Sequence, residues 1–183
     1  INRTAPKAQS SLLEVMEEGQ VTVDGNTYRM PSPFIVLATQ NPVDFVGTYP
    51  LPEAQLDRFF MRVAIGYPTP EEETDILERY TSGARPMEEL KPICSSQDIV
   101  KLQQQVDTVY TSREVRAYIS AIAAASRKNG ALQLGVSTRA AISLLRAAQA
   151  RALMLGRDYV IPEDIQKMAE PVLAHRLVLS PEA

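Results

Sequence analysis

The feature that most constrains this chain is an uninterrupted apolar run, Phe34-Ile35-Val36-Leu37-Ala38-Thr39, fenced by prolines. Pro31 and Pro33 bar a helix before it, and Gln40-Asn41-Pro42 ends it. A run of this length without polar alternation predicts a strand buried on both faces, as inside a parallel sheet. Such a strand needs partners. Nearby, Gln20 to Met30 alternates around Val21 and Val23 and breaks at Asp24-Gly25, which predicts a hairpin. Met61 to Ile65 predicts one more strand, stopped by Gly66-Tyr67-Pro68. These are too few for a stable parallel sheet. The missing strands are therefore expected upstream of Ile1, and the sequence, which starts on Ile rather than Met, is expected to be cut from something longer.

Helices flank these strands. Thr4 suits the cap of a first helix with Pro6 in its opening turn, an apolar stripe of Leu12, Leu13, Val15 and Met16, and Gly19 just past its end. Pro52 and Glu53 open a short helix with Leu56 and Phe59 on its inner side. Helix, strand, helix, strand is α/β architecture. All four phenylalanines (Phe34, Phe45, Phe59, Phe60) fall in this part, which predicts an aromatic core of its own.

After Pro68 the pattern changes to helices alone. Thr69-Pro70-Glu71-Glu72 is a capping box with proline at the first helical position, ahead of Ile76, Leu77 and Tyr80. Ile99, Leu102, Val106 and Val109 fit a second helix. Thr111 and Glu114 form another capping box, ahead of Val115, Tyr118, Ile119 and Ile122. Ser137 caps a fourth helix that ends before Gly156, and Pro162 opens a fifth that bends at Pro171. Tyr159-Val160-Ile161 is a minor extended piece. The fold class expected is thus α/β with a β-hairpin over residues 1–68, followed by an all-α bundle over 69–183.

Composition narrows the function. The 183 residues carry a formal charge of −3, spread evenly along the chain. Phosphate contacts to nucleic acid need a basic surface, so a dedicated nucleic-acid binder is excluded. One cysteine, Cys94, excludes an internal disulfide, and one histidine, His175, leaves no zinc site. No apolar run approaches the roughly 18–20 residues that span a bilayer.

Three side chains stand where phosphate chemistry would use them. Asn41 follows the carboxyl end of the buried strand, where open α/β sheets place ligands. Its amide can hold a water and touch a phosphate, although Asn-Pro also simply makes a turn. Arg58 ends the short helix, where it can reach a neighbouring γ-phosphate or merely complement the helix dipole. Arg139 lies in the first turn of a helix, where a cation is disfavoured, so its placement calls for an anion or carboxylate nearby. His175 is expected at the surface or at a helix cap, Cys94 is expected to be inert, and Glu71-Glu72-Glu73 is dipole-matched charge rather than a metal cluster.

Two absences matter. None of the five lysines follows a glycine, so there is no phosphate-cradling G-x-x-x-x-G-K-[ST] loop. Nor does any apolar strand end in the acidic pair that holds magnesium. This chain is expected to assist ATP hydrolysis but not to bind nucleotide tightly or hydrolyse it alone, and no metal ligands are assigned to it.

Taken together, these residues resemble the MoxR branch of the AAA+ ATPases. Ile1-Asn2-Arg3 resembles the end of an Asp-Glu-Ile-Asn-Arg motif, with the Walker B acids just before it. Leu12 to Asp24 (LLEVMEEGQVTVD), Ala38 to Pro42 (ATQNP) and Gly47 to Phe59 (GTYPLPEAQLDRF) are similar to family segments, the last being the most specific. Ser137-Thr138-Arg139-Ala140 resembles sensor 2, with Thr138 where the family usually has proline. Asp158 to Asp164 and Arg176 to Pro181 resemble the closing segments of the lid.

The resemblance implies that residues 1–68 are the C-terminal half of a P-loop NTPase core and 69–183 its helical lid. It assigns Asn41 to sensor 1, Arg58 to the arginine finger acting in trans, and Arg139 to sensor 2. Whether Arg139 acts in cis or in trans stays open, because related insert-bearing clades move sensor 2 to the neighbour's site. Implied for the full-length protein are ATP and Mg2+, a homo-oligomeric ring, commonly a hexamer, chaperone-like remodelling in the bacterial cytoplasm, and von Willebrand A-domain partners. A nucleotide-independent helical interaction module is the alternative. A DNA-directed motor ranks last, since the hairpin offers only Arg29.

Overall fold

A computed structural model describes residues 6–40, 51–82 and 90–182. Helix α1 (Pro6–Glu18) opens on proline and closes at Gly19, whose φ of 61° is the left-handed conformation that ends a helix. The hairpin follows as β1 (Gln20–Val23) and β2 (Asn26–Arg29), antiparallel, with Gln20 opposite Arg29 and Val23 opposite Asn26. Asp24 and Gly25 turn it with φ of 49° and 79°, the two positive values that match the strand twist.

The long apolar run departs from expectation. Neither 34–40 nor 61–65 forms a strand among the described residues, and Ile35, Leu37, Val63 and Ile65 are exposed. The expected aromatic core is also missing there. Phe34 and Phe60 are exposed, Phe59 is half-buried, and Phe45 lies outside the described residues. The cause is that a strand is a property of a pair: its ladder and its covered faces come from neighbours. No described strand lies alongside either run.

Capping residues set most helix starts. The short α2 (Glu53–Leu56) leads to α3 (Pro70–Thr81), where Thr69 and Glu72 exchange a capping box. Ser95 and Asp98 do the same for α4 (Ser96–Thr108). Helix α5 (Arg113–Lys128) is capped by Ser112 rather than Thr111: Ser112 Oγ accepts from the Val115 amide at 3.3 Å, while Thr111 is buried. Ser137 caps α6 (Thr138–Met154), and Pro162 opens α7 (Pro162–Leu173), which carries Pro171 internally. A 3-10 turn (Ala174–Arg176) follows. The expected apolar face of α3 is not covered among the described residues, since Ile76, Leu77 and Tyr80 are exposed.

The core is built from residues 109–173. Val115 and Ile119 of α5 and Ile165 and Val172 of α7 pack on α6, where Ala140, Ala147, Ala148 and Ala152 let neighbouring elements approach closely. Each fully buried Leu, Ile or Val here contributes about 1.5–3 kcal/mol. Met61 packs against this cluster from the first part of the chain. A short pair absent from the sequence reading, β3 (Leu132–Leu134) with β4 (Val178–Leu179), ties the chain's end to the α5–α6 connection. A parallel bridge joins Tyr110 to Tyr159.

Two features fix where α6 begins and how α7 packs on it. Asp164 is fully buried, and Arg151, Arg157 and the Ile161 amide all donate to it. Burial alone would raise its pKa; the bonds from Arg157, Ile161 and Arg151 outweigh that and hold it below the usual carboxylate value. Gly135 meets α5 backbone to backbone. A Cβ there would lie 2.8 Å from the Arg127 Cα and amide nitrogen. Backbone cannot yield as a side-chain tip can, so Gly135→Ala is expected to cost about 1–3 kcal/mol. Thermal unfolding tests this, and an unchanged Tm would contradict the close approach.

Candidate functional site

Glu17 and Arg139 each sit at the wrong end of a helix. Glu17 lies in the last turn of α1, which has no basic residue there, and Arg139 lies in the first turn of α6, which has no acidic one. Each placement is mildly unfavourable against the helix dipole. In the fold they meet, with Arg139 Nη2 donating to Glu17 Oε1 at 2.6 Å. The other carboxylate oxygen takes Arg58, whose Nη1 lies 3.1 Å from Glu17 Oε2. One carboxylate thus holds two guanidiniums, one per oxygen.

These three side chains line an open depression of about 460 Å³, together with Phe60 and Ser143. Arg139 is half exposed at 51%, while Arg58 and Glu17 are near 30%. Exposed ion pairs stabilise a fold only slightly, about 0–1 kcal/mol each. The cluster therefore contributes little to holding the fold together. Arg58 Nε is buried and has no hydrogen-bond partner among the described residues.

Beneath the depression lies a second, drier layer. Asp57 accepts from Ser137 Oγ at 2.9 and 3.0 Å, so the residue that caps α6 also grips the turn bearing Arg58. Asp57 lies 3.6 Å from Arg139 Nη1 and 3.4 Å from Arg176 Nε. Arg176 donates through Nη2 to the Phe59 carbonyl at 2.5 Å and to Ser143 Oγ at 3.3 Å. Burial pulls the Arg176 guanidinium below its ordinary pKa, with Asp57 opposing and Arg139 adding to the shift.

The structure brings Arg58 and Arg139 together; Asn41 lies outside the described residues. The sequence reading overlooked Glu17, Asp57 and Arg176. An anion at a helix C-terminus was a signal for Glu17, of the same kind that singled out Arg139. Arg176 gives no such signal. His175 is not a surface residue: it is half-buried with Nε2 3.1 Å from the Phe59 carbonyl.

Two family profiles match separate stretches of the chain. Residues 1–61 match the profile of the ATPase family associated with various cellular activities (AAA), and residues 124–183 match the AAA lid domain. Over 183 residues the chain is 51% identical to the uncharacterized protein YeaC of Bacillus subtilis (strain 168), covering 100% of this chain and 57% of that protein. Over 192 residues it is 43% identical to the chaperone MoxR1 of Mycobacterium tuberculosis, covering 100% of this chain and 50% of that one. A crystal structure of a protein assigned as an ATPase from Cytophaga hutchinsonii matches with a TM-score of 0.90 and 41% identity, covering 100% of this chain and 58% of that one.

The chain belongs to the MoxR branch of the AAA+ ATPases. It spans about half the length of the curated relatives it matches. The arginines present here fit phosphate oxygens, since guanidiniums bind carboxylate and phosphate with the same fork. Among the described residues there is no cluster suited to a metal ion, and no helix is long and apolar enough to cross a membrane.

Burial holds the His175 imidazole below its ordinary pKa of 6.5; the Phe59 carbonyl and Asp57 oppose this shift, and Arg176 and Arg62 reinforce it. The unfolded chain therefore takes up this proton first as pH falls. Stability contributed by neutral His175 is present above the ordinary value and is lost on acidification from about pH 7 towards the lowered one. The Tm of the chain should fall through this window, and His175→Gln should remove that part of the slope. Parallel slopes for the two proteins would contradict the assignment.

Proposed function

We propose that this chain supplies the trigger residues of a MoxR-type AAA+ ATPase that couples ATP hydrolysis to chaperone-like remodelling of partner proteins. In this reading residues 1–68 form the C-terminal half of the nucleotide-binding core and 69–183 the lid. Asn41, as sensor 1, orients the attacking water in its own subunit. Arg58 is the arginine finger, Arg139 is sensor 2, and both face the γ-phosphate held by the next subunit of a ring, most simply a hexamer. Bacterial cytoplasm and von Willebrand A-domain partners belong to the same reading.

The observation that carries it is the single carboxylate of Glu17 held between Arg58 and Arg139. Two guanidiniums spaced around two oxygens of one anion are spaced for a phosphoryl group as well. Because the depression is open, a γ-phosphate can replace Glu17 and draw on both cations as charge develops in the transition state. Sharing one anion also favours trans action for Arg139: a finger reaches outward, and its companion reaches with it. A nucleotide-independent interaction module gives no reason for this convergence.

In the assembled full-length enzyme, Arg58→Ala is expected to lower ATP turnover by about 10³-fold or more, as for arginine fingers elsewhere. Arg139→Ala should also lower it, and the double variant should fall short of the product of the two losses, because both act on one charge. Near-normal turnover by either single variant in an intact ring would refute its role. The chain alone is expected to show no saturable ATP binding at micromolar nucleotide in calorimetry; stoichiometric binding would contradict the division of labour.

A further inference from the structure

We propose that Arg176, at the end of the 3-10 turn after α7, is the positioning residue for Arg58, and that it sets the finger by holding the residues on either side of it. This rests on the finger reading of Arg58 given above. One guanidinium spans both neighbours: Nε lies 3.4 Å from Asp57 Oδ1, and Nη2 donates to the Phe59 carbonyl at 2.5 Å. His175, its neighbour in sequence, places Nε2 3.1 Å from the same carbonyl. Asp57 is fixed a second time by Ser137, the cap of α6.

Left to itself, the turn carrying Arg58 is weakly determined. Helix α2 has only four residues, and the Arg58 and Phe59 amides close single bonds to Gln55 and Leu56 at 3.2 and 3.1 Å. Isolated helices this short are not stable in water. Glu17 pairs with the Arg58 side chain, but Ser137, Arg139, His175 and Arg176, which contact the flanking Asp57 and Phe59, come from the far part of the chain.

A staple serving packing alone would be cheaper in apolar form. The Arg176 side chain is 2% exposed, and its Nε and Nη1 lack hydrogen bonds among the described residues. A buried guanidinium is costly to desolvate unless its donors are satisfied. What this one gains in return is a fixed direction for the main chain at 57 and 59. A lid that shifts relative to the core then carries the finger with it, so the contact couples lid position to the neighbour's phosphate.

The test is a double-variant comparison in the full-length ring. Arg176→Lys keeps the charge but cannot reach Asp57 and the Phe59 carbonyl as one planar fork. It should lower kcat by about 10²-fold, the scale of a 1 Å misplacement, with KM for ATP unchanged. In an Arg58→Ala background the same change should add nothing. Should Arg176→Lys fail to fold, Asp57→Asn, which keeps an oxygen for Ser137 but loses the charge facing Arg176, is expected to give the same kcat-only loss. Full turnover by the folded variant, or a loss that multiplies with Arg58→Ala, overturns the positioning role while leaving the finger intact. Near-normal turnover by Arg58→Ala alone overturns the finger reading, and this inference with it.

Discussion

The site depends on one carboxylate shared by two guanidiniums. Glu17 belongs to α1, Arg58 to the turn after α2, and Arg139 to the start of α6, so this contact draws three separated stretches of chain to one point. Neither Glu17 nor Arg139 is well placed for its own helix. Each is tolerable because the other is there. Local cost relieved only by a long-range partner is the pattern expected where a fold carries a function.

The packing beneath gives the meeting point a fixed base. Ser137 is used twice, once to cap α6 and once to hold Asp57, so the helix start that aims Arg139 and the turn that aims Arg58 share a hydroxyl. Gly135 brings this helix start against α5, and the Ser126 hydroxyl and Arg127 bond the Val136 backbone on either side. Above this base the cations stand in a wet depression, where screening keeps each ion pair weak. Under the proposed function, this base would let a phosphate take the place of the Glu17 carboxylate without refolding anything.

Local punctuation was legible in the sequence. Gly19, Asp24-Gly25, Thr69 with Glu72, Ser137 and Pro162 all mark the boundaries that the backbone uses, because caps and tight turns depend on neighbours within a few residues. The choice of Ser112 over Thr111 was not legible, since two adjacent hydroxyls offer the same cap and burial of Thr111 decides between them. The strands expected at 34–39 and 61–65 failed for a different reason: apolar pattern records a preference for burial, while pairing is supplied by other chain. The β3–β4 pair is too short to show any period. At the site, Arg58 and Arg139 were visible as types in context; Asn41, singled out by its place after the expected strand, lies outside the described residues. Asp57 and Arg176 were not, because contacts across 80 and 117 residues leave no mark on local spacing.

Complementation in mixed rings tests most directly whether Arg58 and Arg139 serve the neighbouring subunit together. Full-length Asn41→Ala subunits would lose their own water-orienting residue, and full-length subunits carrying both Arg58→Ala and Arg139→Ala would lose what they offer next door. Each preparation alone should be inactive. Mixed before assembly, they should recover ATP turnover at those junctions where an intact Asn41 meets an intact arginine pair. Mixed rings as inactive as either parent, with assembly verified, would mean that the arginines do not act across the subunit boundary as a pair.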